Sequence, residues 1–317
     1  MISDRVKGAF LTMFGAVCWG VSGCVGQYLF STQGMSATWL VPIRLGLAGL
    51  LLCGFYFIKD RKLLFAPWKT RRNALDLIIY GLAGVSACQF LYFLTIQLSS
   101  AGIGTILQDL SPVLILGVGC VLGKRQPRLT EIFSIVLALA GVFLLTTHGS
   151  LTELAVSPAA LFTGVLSAVC VVIYTMWPKN LQRQYPTPML QGWAFLMGGA
   201  VFSLVFRPWT YHYVPSAVGM VGIAAVVLIG NVLAFSCYMS GVKLIGPQKS
   251  SLYSFAEPAS AALIATFLLG SPFTLWDAFG FLCIFAMLVF LSLGSKKEAA
   301  AARISADSTP VQAQHSA

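Results

Sequence analysis

Residues 238–261 read YMSGVKLIGPQKSSLYSFAEPASA, and residues 92–115 read YFLTIQLSSAGIGTILQDLSPVLI. At a constant offset of 146 the two segments align without a gap: Tyr92 meets Tyr238, Leu98 meets Leu244 and Pro112 meets Pro258. The register continues through Leu122 and Leu268, Leu129 and Leu275, Glu131 and Asp277, and Phe133 and Phe279. A weaker match joins AVCWG (16–20) to AVCVV (168–172). Identity is low, and apolar helices match cheaply. The matched prolines and matched acidic helix starts lift the alignment above that background.

Composition says where such a duplicated chain must live. Of 317 residues, 57% are hydrophobic and only 9% charged, with a mean hydropathy of +0.83. Soluble domains carry about 25% charged residues. The excess apolar surface needs lipid, where backbone polar groups are satisfied only in helices or closed barrels. The apolar runs are continuous and about 20 residues long, enough to cross a hydrocarbon core of roughly 30 Å as helices. An all-α integral membrane protein follows. Ten spans are expected, at 8–28, 37–58, 75–97, 101–123, 130–147, 158–177, 188–206, 216–242, 248–269 and 273–294.

The basic residues test that count through the positive-inside rule. With a cytoplasmic N-terminus, Arg5, Lys7, Lys59, Arg61, Lys62, Lys69, Arg71, Arg72, Lys124, Arg125, Arg128, Lys179, Arg183, Lys243, Lys249, Lys296, Lys297 and Arg303 all fall on the inner side. Only Arg207 falls outside, and Arg44 lies within a span. Ten spans with both termini cytoplasmic satisfy this pattern. The net charge of +10 is thereby topology and not a nucleic-acid footprint. The first span is longer than a signal-peptide core and no small-x-small cleavage site follows it.

The repeat unit therefore holds five helices. Five is odd, so the second copy enters the membrane in the opposite sense. The expected organisation is a first repeat at 1–150, an inverted second repeat at 151–294 and a polar cytoplasmic tail at 295–317. Inverted-topology repeats place a site near the bilayer midplane and let two halves exchange access to the two sides.

Further motifs carry a family resemblance. They are Trp19-Gly20 in the first span, Arg44 in the second, LSPVLILGVGCVLG (110–123) in the fourth and AEPASAALIATFLLG (256–270) in the ninth. Over about residues 8–294 the chain resembles the drug/metabolite transporter superfamily, in particular its ten-helix EamA-type bacterial branch. The resemblance implies export of small metabolites or drugs across the bacterial inner membrane without ATP. It does not name a substrate. The family often has Glu after the helix-ending glycine, whereas Lys124 and Ser271 stand there in this chain. No role of those glutamates carries over.

Three ionisable residues fall deep within spans: Arg44, Asp109 and Glu257. Intramembrane charges are costly and mark functional sites by default. Glu257 leads the candidates. Tyr253 lies one helical turn before it. Pro258 lacks an N–H, so it frees the Ser254 carbonyl and bends the helix beside the acid. The proline belongs to the duplicated scaffold, since Pro112 answers it, while Glu257 is answered by Ser111. The site is thus asymmetric. Asp109, with Gln108 beside it, lies in the equivalent helix. Arg44 is expected to pair with Asp109 or with Glu257, or to take a substrate carboxylate. Trp19, Tyr92, Tyr238 and Tyr253 can give an aromatic lining, although each alone also reads as packing. Asp76, Glu131 and Asp277 sit at helix starts, where negative charge suits the helix dipole.

Eight cysteines fall in apolar runs without a CxxC pair, and the three histidines lie in connections or the tail, so no metal site or cofactor is expected. No GxxxxGK[ST] loop appears, which excludes an ATP-driven pump on this chain, and no intramembrane catalytic motif marks an enzyme. The expected function is a secondary transporter that exports a small metabolite, amino acid or drug-like compound by alternating access, coupled to protons through Glu257. The competing readings are an uncoupled facilitator, a channel and a lipid scramblase. Expected partners are the small-molecule substrate, protons and the lipid bilayer. A homodimer is compatible with the sequence.

Overall fold

A computed structural model of the chain describes residues 4–124, 126–148, 156–245, 253, 256–270, 273–287 and 289–290. The described residues are helical and contain no strand. In chain order the long helices are α1 (Asp4–Ser31), α2 (Ala37–Lys59), α3 (Arg71–Leu98), α4 (Ala101–Leu122), α5 (Leu129–Thr147), α6 (Pro158–Met176), α7 (Thr187–Phe206), α8 (Ala217–Val242), α9 (Ala256–Leu269) and α10 (Leu275–Met287). Seven of them, α1–α4 and α6–α8, are long and apolar enough to cross a bilayer, while α5, α9 and α10 have shorter apolar stretches among the described residues. The expected ninth span begins at 248, but 246–252 lie outside the described residues.

Serines start four of these helices. Ser36, Ser100, Ser157 and Ser216 each accept a bond from the backbone N–H three residues on, at 3.2, 3.3, 3.2 and 3.0 Å. A hydroxyl just ahead of an apolar run satisfies a donor that the first turn leaves unpaired. Helices end where the chain turns left-handed: His148 (φ 48°) after α5, Arg207 (φ 47°) after α7 and Gly270 (φ 64°) after α9. Asp277 accepts from the N–H (2.7 Å) and hydroxyl (2.8 Å) of Thr274 at the start of α10, and Glu131 accepts from the Arg128 N–H at 2.7 Å at the start of α5. The dipole role expected for those two acids is thus accompanied by capping bonds. Asp76 differs. It lies beyond the first turn of α3 and accepts from the Trp177 indole N–H at 3.1 Å, tying α3 to the end of α6.

Helices α2 and α7 pack along their length. Glycines permit this: a Cβ on Gly49 would meet the Leu196 backbone, and one on Gly199 would meet Gly46. Helix α8 packs on α1, and α3 packs on α6. Helix α9 packs on both α1 and α4, and α4 also packs on α6. Within α3 the ladder widens to a π-helix over Ile79–Ser86, and within α8 it does so over Val226–Leu233. Small residues again hold the close contacts, with Ser86 donating to the Ala194 carbonyl at 2.9 Å and Tyr80 to Gln191 Oε1 at 2.8 Å.

Candidate transport site

The site grows from the meeting of α1, α3, α4 and α9. Trp19-Gly20 brings α1 against α9 at the level of Glu257. A Cβ on Gly20 would collide with Ser260 Oγ and stand 2.8 Å from the Glu257 carbonyl oxygen. Ser260 donates to that same carbonyl at 2.9 Å, and Cys24 one turn along α1 donates to the Ala261 carbonyl at 3.2 Å. The AEPASA backbone is thereby fixed against α1 at two points.

Helix α4 is not continuous. It runs Ala101–Gln108, turns at Asp109 and Leu110, and resumes at Ser111–Leu122 with Pro112 in its new first turn. A proline there costs nothing, because the first turn needs no N–H from it. Asp109 thus occupies the break. One carboxylate oxygen, Oδ2, is fully buried and has no hydrogen-bond partner among the described residues, and neither has Oε1 of Gln108 beside it. Broken helices in transporters present such residues to substrates or ions. Pro258 lies near the start of the described part of α9, and Ser254, whose carbonyl it is expected to free, lies outside the described residues.

Glu257 forms no side-chain hydrogen bond or ion pair with the described residues. It lies within electrostatic range of Asp109, Tyr92, Tyr174 and Cys88. The two acids thus lie within electrostatic range of each other, and neither forms an ion pair with a described residue. Tyr92 is buried, and its hydroxyl is 3.0 Å from Thr105 Oγ1. Thr105 spends its own proton on the Ala101 carbonyl at 2.8 Å, so Tyr92 is the donor of the pair. Its lone pairs remain available. Trp19 stacks obliquely on Tyr238 at 5.0 Å.

Arg44 departs from expectation. It is 1% exposed, yet it pairs with neither acid. Nη2 donates to Gln89 Oε1, and the guanidinium lies 3.6 Å over the Phe93 ring. The reason is geometric. Arg44 on α2 faces α3, where Gln89 and Phe93 are one turn apart, whereas the acids sit on α4 and α9. Tyr92 lies within electrostatic range of both Arg44 and Glu257. Nε and Nη1 of Arg44 have no hydrogen-bond partner among the described residues. Neither Gln89 nor Phe93 stands out in the sequence reading. A polar residue four before an aromatic in an apolar span was the available signal.

Tyr253 is exposed at 39% and its neighbours lie outside the described residues, so it is not gathered with the others. The remaining candidates, Glu257, Asp109, Gln108, Tyr92 and Trp19, all lie on α1, α3, α4 and α9, with Arg44 on α2 held against Gln89 and Phe93 of α3.

Long apolar helices around a partly unsatisfied polar centre define a polytopic membrane protein. A model of the EamA-like transporter family matches residues 6–147 and again 158–293, and the chain belongs to that family. It is 38% identical over 296 residues to the "uncharacterized inner membrane transporter YicL" of Salmonella typhimurium, covering 93% of this chain and 98% of that one. The "uncharacterized transporter YyaM" of Bacillus subtilis is 26% identical over 70% of this chain and 73% of its own length. The "uncharacterized inner membrane transporter YedA" of Escherichia coli K12 is 22% identical over 89% and 91%. A solved crystal structure with 16% identity superposes over 92% of this chain and 99% of its own with a TM-score of 0.64, a likeness of fold. The chain is a membrane transporter by family.

Proposed function

We propose that this transporter is a secondary carrier for a small amino-acid-like metabolite, exported across the bacterial inner membrane by alternating access. One observation carries the reading: a buried, half-satisfied cation, Arg44, and an acid with no hydrogen-bond or ion-pair partner among the described residues, Glu257, both lie within electrostatic range of Tyr92, and Asp109 lies within range of Glu257. A zwitterion spans such a site, its carboxylate toward Arg44 and its ammonium toward the acids. The aromatic rings of Trp19 and Tyr238 take the apolar part. With no substrate bound, a proton on Glu257 relieves the repulsion between the two acids, and its exchange for substrate couples the cycle to a proton gradient. The inner-membrane location agrees with the names of the relatives.

Alternating access rests on two inverted repeats, 1–150 and 151–294, in a ten-span frame with both termini inside. Several features support this organisation. The family model matches twice. Helices α3 and α8 carry π-helical stretches of equal length at equivalent positions. The pairings α1 with α8 and α3 with α6 exchange under the 146-residue offset, as do α1 with α9 and α4 with α6.

The test is counterflow in proteoliposomes. Neutral amino acids should exchange, and the corresponding amines without a carboxylate should not. Equal exchange of both would remove the role given to Arg44. A pH gradient, inside acidic or alkaline, should drive uphill flux. An uncoupled facilitator would give counterflow without that response.

A further inference from the structure

On the opposite side of α1 from the acids' neighbour Gly20, at its first turns, α1 and α8 frame a second feature. Lys7 and Leu11 of α1, with Ser236, Cys237, Ser240 and Leu244 of α8 and its last turn, line an open groove of about 460 Å³. Its floor is a tight helix contact. A Cβ on Gly8 would stand 2.9 Å from Leu244 Cβ, and one on Gly241 would stand 2.7 Å from the Gly8 carbonyl. The membrane-crossing stretch of α1 starts at Val6 and that of α8 ends at Val242. Lys7 and Leu244 therefore sit at head-group depth, and Ser236 lies eight residues deeper along α8, roughly 12 Å at the helical rise.

The chemistry of the lining is restrictive. Ser236 donates to the Val232 carbonyl at 2.6 Å and Ser240 to the Ser236 carbonyl at 2.7 Å. Both hydroxyl protons are thus spent within α8. Among the described lining side chains the Lys7 ammonium is the free strong donor. It is exposed and no described carboxylate pairs with it. Among the described lining side chains an anionic oxygen has one place to bind, at the lip. Below the lip, Leu11 and Cys237 offer apolar wall and nothing for a second charged group.

We propose that this groove seats one anionic phospholipid, its phosphate on Lys7 and an acyl chain along Leu11 and Cys237. The groove is open, it is longer than a free phosphate requires and its wall below Lys7 is mostly apolar, so the bilayer's own anionic lipid is the occupant that fits. The seat adjoins Tyr238, whose ring packs on Trp19, so an occupied groove steadies the α1–α8 wall of the transport site.

The experiment uses the full chain purified in a neutral detergent. Thermal unfolding is followed while phosphatidylglycerol, phosphatidylethanolamine, phosphatidylcholine or inorganic phosphate is added, with native mass spectrometry counting retained lipid. Phosphatidylglycerol should raise Tm and leave one retained molecule. The two zwitterionic lipids and inorganic phosphate should do neither at equal concentration. Lys7→Gln should weaken the phosphatidylglycerol effect about fivefold, the worth of one basic residue at an anionic lipid surface. Ser240→Leu, which fills the exposed groove, should abolish retention with the protein still folded. Lys59→Gln, at another helix end, should leave it intact. Equal shifts from phosphatidylcholine and phosphatidylglycerol, an unchanged response in Lys7→Gln, or the same shift from inorganic phosphate would each overturn the proposal.

Discussion

Gly20 and Glu257 are in backbone contact: a Cβ on the glycine would lie 2.8 Å from the glutamate's carbonyl oxygen. This contact, more than any charge pair, sets where the carboxylate sits. Gly20→Ala forces Ser260 and the start of α9 to move, and Gly20→Val forces them further. Overpacking of this kind costs about 1–3 kcal/mol. The expected outcome is a graded loss of thermal stability and of transport, Val worse than Ala. Glycine at an exposed, uncontacted position supplies the control: Gly54 meets nothing within 4 Å, so Gly54→Ala should be neutral in both assays.

Glu257 and Asp109 lie within electrostatic range of each other, and neither is paired with a cation among the described residues, so the pair should dominate pH dependence. An ammonium group competes with a proton for the same carboxylate. Substrate affinity should therefore fall as pH is lowered in the native protein. In Glu257→Gln that fall should flatten, and uphill flux driven by a pH gradient should vanish while counterflow persists at reduced rate. Asp109→Asn in parallel separates the two acids. If Glu257→Gln keeps the native pH profile, Glu257 does not carry the proton.

Arg44 leans on Gln89 and Phe93. Gln89→Leu leaves a buried guanidinium with a further unsatisfied N–H, a loss of about 1–3 kcal/mol. Gln89→Glu instead supplies a carboxylate, which neutralises Arg44 and takes the place a substrate carboxylate would occupy. The expected order of transport is native, then Gln89→Leu, then Gln89→Glu, while thermal stability should rank Gln89→Glu above Gln89→Leu. Arg44→Lys keeps the charge and loses the planar fork, so it should raise KM more than it lowers stability.

The sequence made much of this legible, and for identifiable reasons. Helix existence followed from unbroken apolar runs, which have no other solution in lipid. The expected starts at 37, 101, 158 and 216 fall within one residue of Ala37, Ala101, Pro158 and Ala217, and the serine caps just ahead of them are a signal the apolar pattern did not use. Polar residues isolated in apolar spans marked Asp109, Glu257 and Arg44 because a charge there needs a reason. What stayed hidden was pairing. Whether Arg44 meets an acid depends on which face of α2 turns toward α3 or α4, and no spacing within one helix reports that. The break in α4 at Asp109 was equally silent, since Pro112 reads as well for a bend inside a helix as for the first turn of a new one. Gln89 escaped because its weight comes from Arg44, on another helix.

The His148–Asp277 contact joins the end of α5 to the start of α10 at 3.1 Å, and Asp277 also caps Thr274. Asp277→Ala removes the cap and the contact together, at a cost near 1 kcal/mol for the cap alone. Asp277→Asn preserves the capping acceptor and should recover most of that stability. Thermal unfolding of the three proteins checks this.

Orientation gives the most direct test of the inverted frame. The connection at 98–100 and its counterpart at 244–246 are related by the repeat offset, and opposite orientation puts them on opposite sides of the membrane. The basic residues place Lys243 and Lys249 inside. Single cysteines at Ser99 and at Gly246, in a background with the eight native cysteines replaced, should differ in labelling of intact cells by an impermeant maleimide. Ser99→Cys should label from outside and Gly246→Cys only after the membrane is opened. Labelling of both from the same side would remove the inversion, and with it the basis for alternating access between two five-helix halves.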